Sequence, residues 1–291
     1  LVFTCLLFGL LGWTASPAPS VPSPALAERG GGVEDALAGL RRAASPEERE
    51  AAARALEAAL GGRGDDPEAC LALGEAWLDL EKYQHALNAF SAVILKDPGS
   101  VPAMLGRARA LAGLADLPKA VEWARRATEA QPDDPRAWEA LGLVFLHEAR
   151  LEPARAEAAF RQLLKLAPDH RGGNLGLARA LAYEKKVKEA GEILRGWLAR
   201  HPEDVDAKLK LAESLYVQDD YNAAEGLLAE VVARQPGRVE AERLLDSIRT
   251  RKAIHFWVPA VAVVLVPVVV FTIRRLRRGR VLKMDEGTEE T

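Results

Sequence analysis

Between residues 67 and 238 the apolar positions recur at three- and four-residue intervals, which is the spacing of one helical face, and the whole pattern then repeats. Proline marks the period: Pro98, Pro132, Pro168, Pro202 and Pro236 are separated by 34, 36, 34 and 34 residues. Ala86, Ala120, Ala156, Ala190 and Ala224 keep the same spacings, while Gly74, Ala108, Gly142, Ala178 and Ala212 give 34, 34, 36 and 34. The two-residue slip therefore falls after Gly142 and before Ala156, inside VFLHEARLEPARA. Large apolar residues surround the small ones. Leu73, Leu141, Leu177 and Leu211 precede the first small site, and Trp77, Leu111, Phe145, Leu181 and Leu215 follow it by three. Phe90, Phe160, Leu194 and Leu228 come four after the alanine, and only Ala124 breaks that column. A small residue on each of two helices lets antiparallel backbones approach closely, and a proline cannot continue the helix that precedes it. Each unit therefore reads as a helical hairpin, and an insertion confined to one turn leaves the flanking helices in register.

On either side of this array the pattern changes. Residues 33–60 form two more amphipathic stretches broken at Ser45-Pro46, where serine can cap and proline can occupy a first turn. They read as a degenerate hairpin or N-terminal cap within 28–66, joined to the array by the linker GGRGDDP at 61–67. Residues 239–252 carry Val239, Leu244, Leu245 and Ile248 and read as a cap helix that covers the last hairpin. Residues 253–273 then run without a formal charge. As a helix they would extend roughly 31 Å, close to the thickness of a bilayer core, and so predict a transmembrane segment.

Basic residues near that segment are unequally divided. Arg249, Arg251 and Lys252 precede it, and Arg274, Arg275, Arg277, Arg278, Arg280 and Lys283 follow it, which places the tail 274–291 in the cytoplasm. The tail ends in an acidic run, Asp285, Glu286, Glu289 and Glu290. At the other end VFTCLLFGLLGW precedes an Ala-, Pro- and Ser-rich stretch closing on Ala25-Leu26-Ala27. Residues 1–27 look like a secretory signal peptide, or an uncleaved N-terminal anchor, although no basic stretch precedes the run and the chain begins at Leu1. Both readings export the middle of the chain.

Composition changes the picture only by exclusion. The 291 residues are 49% hydrophobic and 28% charged, with a net charge of −3, which offers no bulk basic charge for nucleic acid and no signature of a wholly disordered chain. Outside the leader Cys70 is the sole cysteine, so an internal disulfide is excluded and the residue reads as a small core side chain. His85, His147, His170, His201 and His255 are dispersed, and His147-Glu148 lacks a second histidine at metalloprotease spacing. The glycine clusters at 30–32 and 61–64 lack the lysine and hydroxyl residue of a phosphate-binding loop. No catalytic, metal or cofactor constellation is expected, and no small-molecule substrate.

The stretch DPEACLALGEAWLDLEKYQHALNAFSAVILKDPGS, and PRAWEALGLVF followed by AEAAFRQLLKLAPD, resemble the tetratricopeptide repeat, whose pattern is W-x2-L-G-x2-Y, then A-x3-F, then P. The resemblance covers five units, 67–100, 101–134, 135–170, 171–204 and 205–238, with departures at Arg107, at the insertion in the third unit, and at Asn174 and Lys208 where the third unit has Trp138. It implies an all-α fold, a tetratricopeptide-type α-α superhelix of antiparallel hairpins, here with one C-terminal transmembrane helix. It also implies a protein- or peptide-binding groove lined by the first helix of each hairpin. Carried across, the groove residues are Leu71, Glu75 and Leu78; Leu105, Arg109 and Ala112; Glu139, Leu143 and Leu146; Leu175, Arg179 and Tyr183; Leu209, Glu213 and Tyr216. The lining is mainly apolar and lacks the lysine and asparagine pattern of the carboxylate clamp that binds chaperones. Arg109 and Arg179 either fix a carboxylate or backbone carbonyls of a bound peptide, or are solvated or paired with neighbouring glutamates.

The expectation is a non-enzymatic adaptor or scaffold in the cell (inner) membrane, with its repeats on the extracytoplasmic, periplasmic side and its lipid contact through 253–273. The alternative is a cytosol-facing, tail-anchored receptor, which leaves the apolar N-terminus unexplained.

Overall fold

The structure, a computed structural model, describes residues 32–61, 66–148 and 151–285, and at 255–262, 264 and 275–285 it describes the backbone alone. The expected leader, the centre of the 61–67 linker and the last residues of the acidic tail lie outside the described residues. Within them the chain is all helix, in two compact units that meet in sequence at Ala130 and Gln131.

The first unit holds α1 (Val33–Arg42), α2 (Pro46–Leu60), α3 (Pro67–Asp79), α4 (Tyr83–Lys96), α5 (Val101–Gly113) and α6 (Leu117–Ala130). Ser45 opens α2 with a capping box: its hydroxyl accepts from the Glu48 amide at 3.1 Å, and Glu48 accepts from the Ala44 and Ser45 amides. Those amide bonds hold the Glu48 carboxyl below its ordinary pKa. Asp66 caps α3 through the Ala69 amide. Between α3, α4 and α5 the fully buried ring of Phe90 lies against Gly74 and Gly106. A methyl group built on Gly74 would stand 2.5 Å from that ring, and one on Gly106 would lie closer still. The Tyr83 ring rests on Gly113 in the same way. Two rings thus fill the junction between the first two hairpins, and burying a ring of this size stabilises by about 1.5–3 kcal/mol.

The second unit holds α7 (Pro135–Phe145), α8 (Pro153–Leu166), α9 (Arg171–Tyr183), α10 (Val187–Arg200), α11 (Val205–Val217), α12 (Tyr221–Arg234) and α13 (Val239–Asp285). Phe160, also fully buried, repeats the arrangement of Phe90 by packing on Gly142 and Gly176. Asp134, His170 and Asp204 cap α7, α9 and α11, each accepting a backbone amide. An ion-pair ladder links successive first helices: Arg171 grips Asp204 at 2.7 and 2.9 Å and Asp206 at 2.5 Å, and Arg238 reaches Asp206 at 2.6 Å.

Every repeat closes its hairpin with one backbone bond. The amides of Lys82, Asp116, Lys186 and Asp220 donate to the carbonyls of Trp77, Leu111, Leu181 and Leu215, five residues back. The preceding residue, Glu81, Ala115, Lys185 or Asp219, takes a left-handed φ between 57° and 62° to make the bond. In the third repeat Glu152 makes the bond to Phe145, seven residues back, with Leu151 at positive φ. The two inserted residues are absorbed before this closure. α7 is also 11 residues long where α3 and α5 have 13, so the insertion unwinds the end of its first helix as well as lengthening the turn.

α13 runs for 47 residues. Ala241, Leu245 and Ile248 are buried, Lys252 bonds Asn222 and Glu225 on α12, and Arg251 lies over the Tyr216 ring. The backbone then continues as the same helix through the apolar run 253–273, where Val263, Leu265, Val266, Val268, Val269, Val270, Phe271 and Ile273 are exposed. Among the described residues no helix is long and apolar enough to cross a membrane, and part of the 253–273 run is described only in its backbone.

Candidate functional site

The first helices present the expected groove residues unequally. Leu78, Leu105, Leu146 and Leu209 are buried and belong to the packed core, so they offer no wall to a partner. Leu71, Ala112, Glu139, Leu175, Glu213 and Tyr216 are half-buried, and Glu75, Leu143, Arg109, Arg179 and Tyr183 are exposed. Arg251 lies 5.2 Å from the Tyr216 ring centre, so α13 covers part of that residue.

The two arginines have different partners. Arg109 forms an ion pair with Glu75, the residue one repeat earlier, at 2.8 Å. Arg179 stands at the same repeat position, but the residue before it in the series is Leu143, which offers no charge. Its guanidinium instead donates to the Leu146 carbonyl at 3.1 Å, one of the carbonyls freed where α7 ends early.

Arg179 also lines a cavity of about 630 Å³ enclosed by α9, α10 and α11. Ala178, Ala182 and Tyr183 come from α9, Val187, Ala190 and Leu194 from α10, and Lys210, Glu213, Ser214 and Val217 from α11. Lys185 contributes from the α9–α10 turn. The cavity thus gathers Arg179, Tyr183 and Glu213 of the expected groove residues and leaves the other twelve elsewhere. Its α10 wall, Val187, Ala190 and Leu194, was not expected.

Charge around the cavity is uneven. Lys210 is tied to both oxygens of Glu213 at 2.8 and 2.9 Å. Lys186, next to the mouth, is held by Glu157 and Glu184 at 2.9 and 2.7 Å. Burial pushes the Glu157 carboxyl up, but Lys186 and Arg161 outweigh it and leave it below its ordinary pKa. Among the described residues neither Arg179 nor Lys185 has a carboxylate within ion-pair distance. Ser214 donates to the Val187 carbonyl at 2.8 Å and fixes one edge of α11 against α10. Among the described residues no group of three or more His, Cys, Asp or Glu side chains is placed to hold a metal ion. What the cavity offers is apolar contact with a cationic rim.

The departures from the repeat pattern also have structural explanations. The Trp138 indole donates to the Pro132 carbonyl at 2.8 Å, and Asn174, one repeat later, donates to the Pro168 carbonyl at 3.2 Å. Lys208 at the equivalent place is buried and bonds Glu230 at 2.5 Å. Arg107 donates to the Ser91 hydroxyl and packs over Trp123, 4.5 Å from the ring centre.

Comparison with known proteins agrees with this architecture. Two family models, each described as tetratricopeptide repeat, match residues 78–144 and 181–248, and residues 37–100 and 146–205. The general transcriptional corepressor ssn6 of Schizosaccharomyces pombe (strain 972 / ATCC 24843) is 30% identical over 113 residues. That alignment takes in 39% of this chain and 10% of the corepressor, so the chain spans only a small part of its relative. Among solved structures, a tetratricopeptide repeat protein from Parabacteroides merdae ATCC 43184 superposes with a TM-score of 0.62 at 16% identity, covering 76% of this chain and 85% of that one. The thermophilic protein TTC0263 from Thermus thermophilus gives 0.50 at 24% identity, covering 58% and 91%. These likenesses establish the fold. Between them the two family models cover residues 37–144 and 146–248, well over half of the chain, and the chain belongs to the tetratricopeptide repeat family.

Proposed function

We propose that the protein is a non-enzymatic scaffold that holds a protein or peptide partner against the first helices of its hairpins. The observation that carries this is the cavity between α9, α10 and α11, whose wall is mainly apolar and whose rim holds two cations without carboxylate partners among the described residues. Such a surface suits an extended chain that supplies side chains to the cavity and carbonyls or carboxylates to Arg179.

The second half of the proposal is membrane attachment through 253–273, with the repeats extracytoplasmic and the C-terminus in the cytoplasm. The exposed apolar side chains from Val263 to Ile273 support it, as does the excess of basic residues after the run. Two measurements test the reading on the full chain. Alkaline carbonate extraction should leave the protein in the membrane pellet, and release into the supernatant would rule out the anchor. Protease added to intact spheroplasts should then remove the repeats; their protection would establish the cytosol-facing, tail-anchored alternative. A photocrosslinker at position 179 should capture a protein partner in native membranes.

A further inference from the structure

The cavity has a cause that also describes its occupant. At the junction of the first two hairpins, Phe90 packs between Gly74 and Gly106 and Tyr83 lies on Gly113. At the junction of the third and fourth, Phe160 fills the corresponding place between Gly142 and Gly176. The junction of the fourth and fifth has Leu194 where the phenylalanines stand, Val187 where Tyr83 stands and Val217 where Gly113 stands. One turn earlier, Ala182 occupies the place of Leu78 and Leu146, both of which are buried, and it is exposed. Leu194, Val187, Val217 and Ala182 all line the cavity. Compared with the first junction, this one lacks two rings and one leucine, and the space they fill there stands open to a ligand.

On the scaffold reading above, we propose that this cavity takes an aromatic side chain from an acidic segment of the partner, inserted where Phe90 and Tyr83 lie in the first junction. The cavity volume of about 630 Å³ falls within the usual range for ligand pockets, enough for a ring and its flanking backbone. Tyr183, 45% exposed at its wall, offers an edge or face to that ring. The charge requirement follows from the repeat spacing. Arg109 is neutralised by Glu75, whereas Arg179 meets Leu143 in the series and keeps only a carbonyl partner. Lys185 adds a second cation from the turn, without a carboxylate partner among the described residues. Carboxylates on either side of the ligand's ring would supply what the array omits here.

The test selects peptides from a random twelve-residue phage-displayed library on the full chain in detergent micelles. It compares wild type with Ala182→Leu, which fills the cavity with the residue the array uses at Leu78 and Leu146, and with Arg179→Glu, which alters an exposed site. Thermal unfolding confirms that both variants fold. The expected result is peptides with one aromatic residue flanked by Asp or Glu, whose binding weakens about tenfold or more in either variant and when the aromatic residue is changed to alanine. Peptides that bind Ala182→Leu as tightly as wild type would overturn the inference while leaving the scaffold reading in place. Sensitivity to Ala182→Leu among peptides without an aromatic residue, or with basic flanks, would overturn the ligand class. A library that yields no binder would remove both the inference and the scaffold reading.

Discussion

The side-chain amide of Asn174 donates to the carbonyl of Pro168 at 3.2 Å, six residues back, and also to the His170 carbonyl at 3.0 Å. Trp138 reaches Pro132 over the same interval, so a small amide takes over a bond that the third repeat makes with an indole. The proline that ends one repeat is thereby tied to the first helix of the next. Asn174 is buried, and Asn174→Ala leaves both carbonyls without this donor. We expect a loss of about 1–2 kcal/mol in chemical denaturation with an unchanged m-value. A loss within about 0.5 kcal/mol would mean that water replaces the amide at little cost.

The contact between Phe160 and Gly142 sets up a reversal of sign. Alanine is favoured over glycine in a helix by about 0.8–1 kcal/mol, yet a methyl at Gly142 would stand 2.7 Å from the Phe160 ring. Gly142→Ala alone should destabilise by about 1–3 kcal/mol through overpacking. In a Phe160→Leu background the same change should be neutral or stabilising, because Ala178 and Leu194 already coexist at the equivalent places in the next repeat. A double-mutant cycle that returns simple additivity would show that the ring is not the obstacle.

The left-handed turn residues offer stabilisation. Ala115 adopts a φ of 59° and Glu81 one of 57°, a region in which a Cβ costs roughly 1–2 kcal/mol. Ala115→Gly and Glu81→Gly should each raise the thermal midpoint, by an amount equivalent to about 0.5–1 kcal/mol after the added freedom of the unfolded chain is subtracted. Ala115→Val should lower it. Equal melting of all three variants would argue against backbone strain at the turn.

Acid should weaken the second unit through Asp204. Burial pushes this carboxyl up, but Arg171, the Trp197 indole and the Ala207 amide overcome that effect and hold it at about 2, below its ordinary 3.8. A depressed carboxyl contributes stability that is complete above the unfolded-state pKa and is lost as pH falls through the folded one. Asp204→Asn should therefore cost on the order of 1–2 kcal/mol near pH 7, allowing for the half-exposed Arg171. That difference should shrink between about pH 4 and pH 2. A constant difference across this window would place the effect in packing.

The parts of the fold that recur were legible in the sequence. Ala86 and Phe90 gain their meaning from Ala156 and Phe160, because the two repeats set the same small and large residues at corresponding places where helices approach closely. Single events were harder to read. The shortening of α7 depends on which backbone bonds the insertion can reach, and the bond from Glu152 to Phe145 decides this through space. The groove was only partly legible. Repeat position identifies the helix face, but exposure depends on the neighbouring hairpin, so Leu209 is buried while Leu71 at the same position is half-buried. The cavity lay in the differences between repeats, in Ala182 and Val187, where a pattern built from likeness gives no signal.

The uninterrupted course of α13 has a mechanical consequence. A helix of 47 residues is about 70 Å long and turns about 100° per residue. Its early turns are held to α12 by Lys252, Ile248 is buried beside them, and the same helix continues from them into the apolar run. Whatever grips residues 263–273 therefore sets the azimuth of the last hairpin as a key sets the angle of a lock barrel. Inserting one alanine after Lys252 would swing that hairpin by more than a quarter turn, and inserting seven would nearly restore its bearing at a greater height.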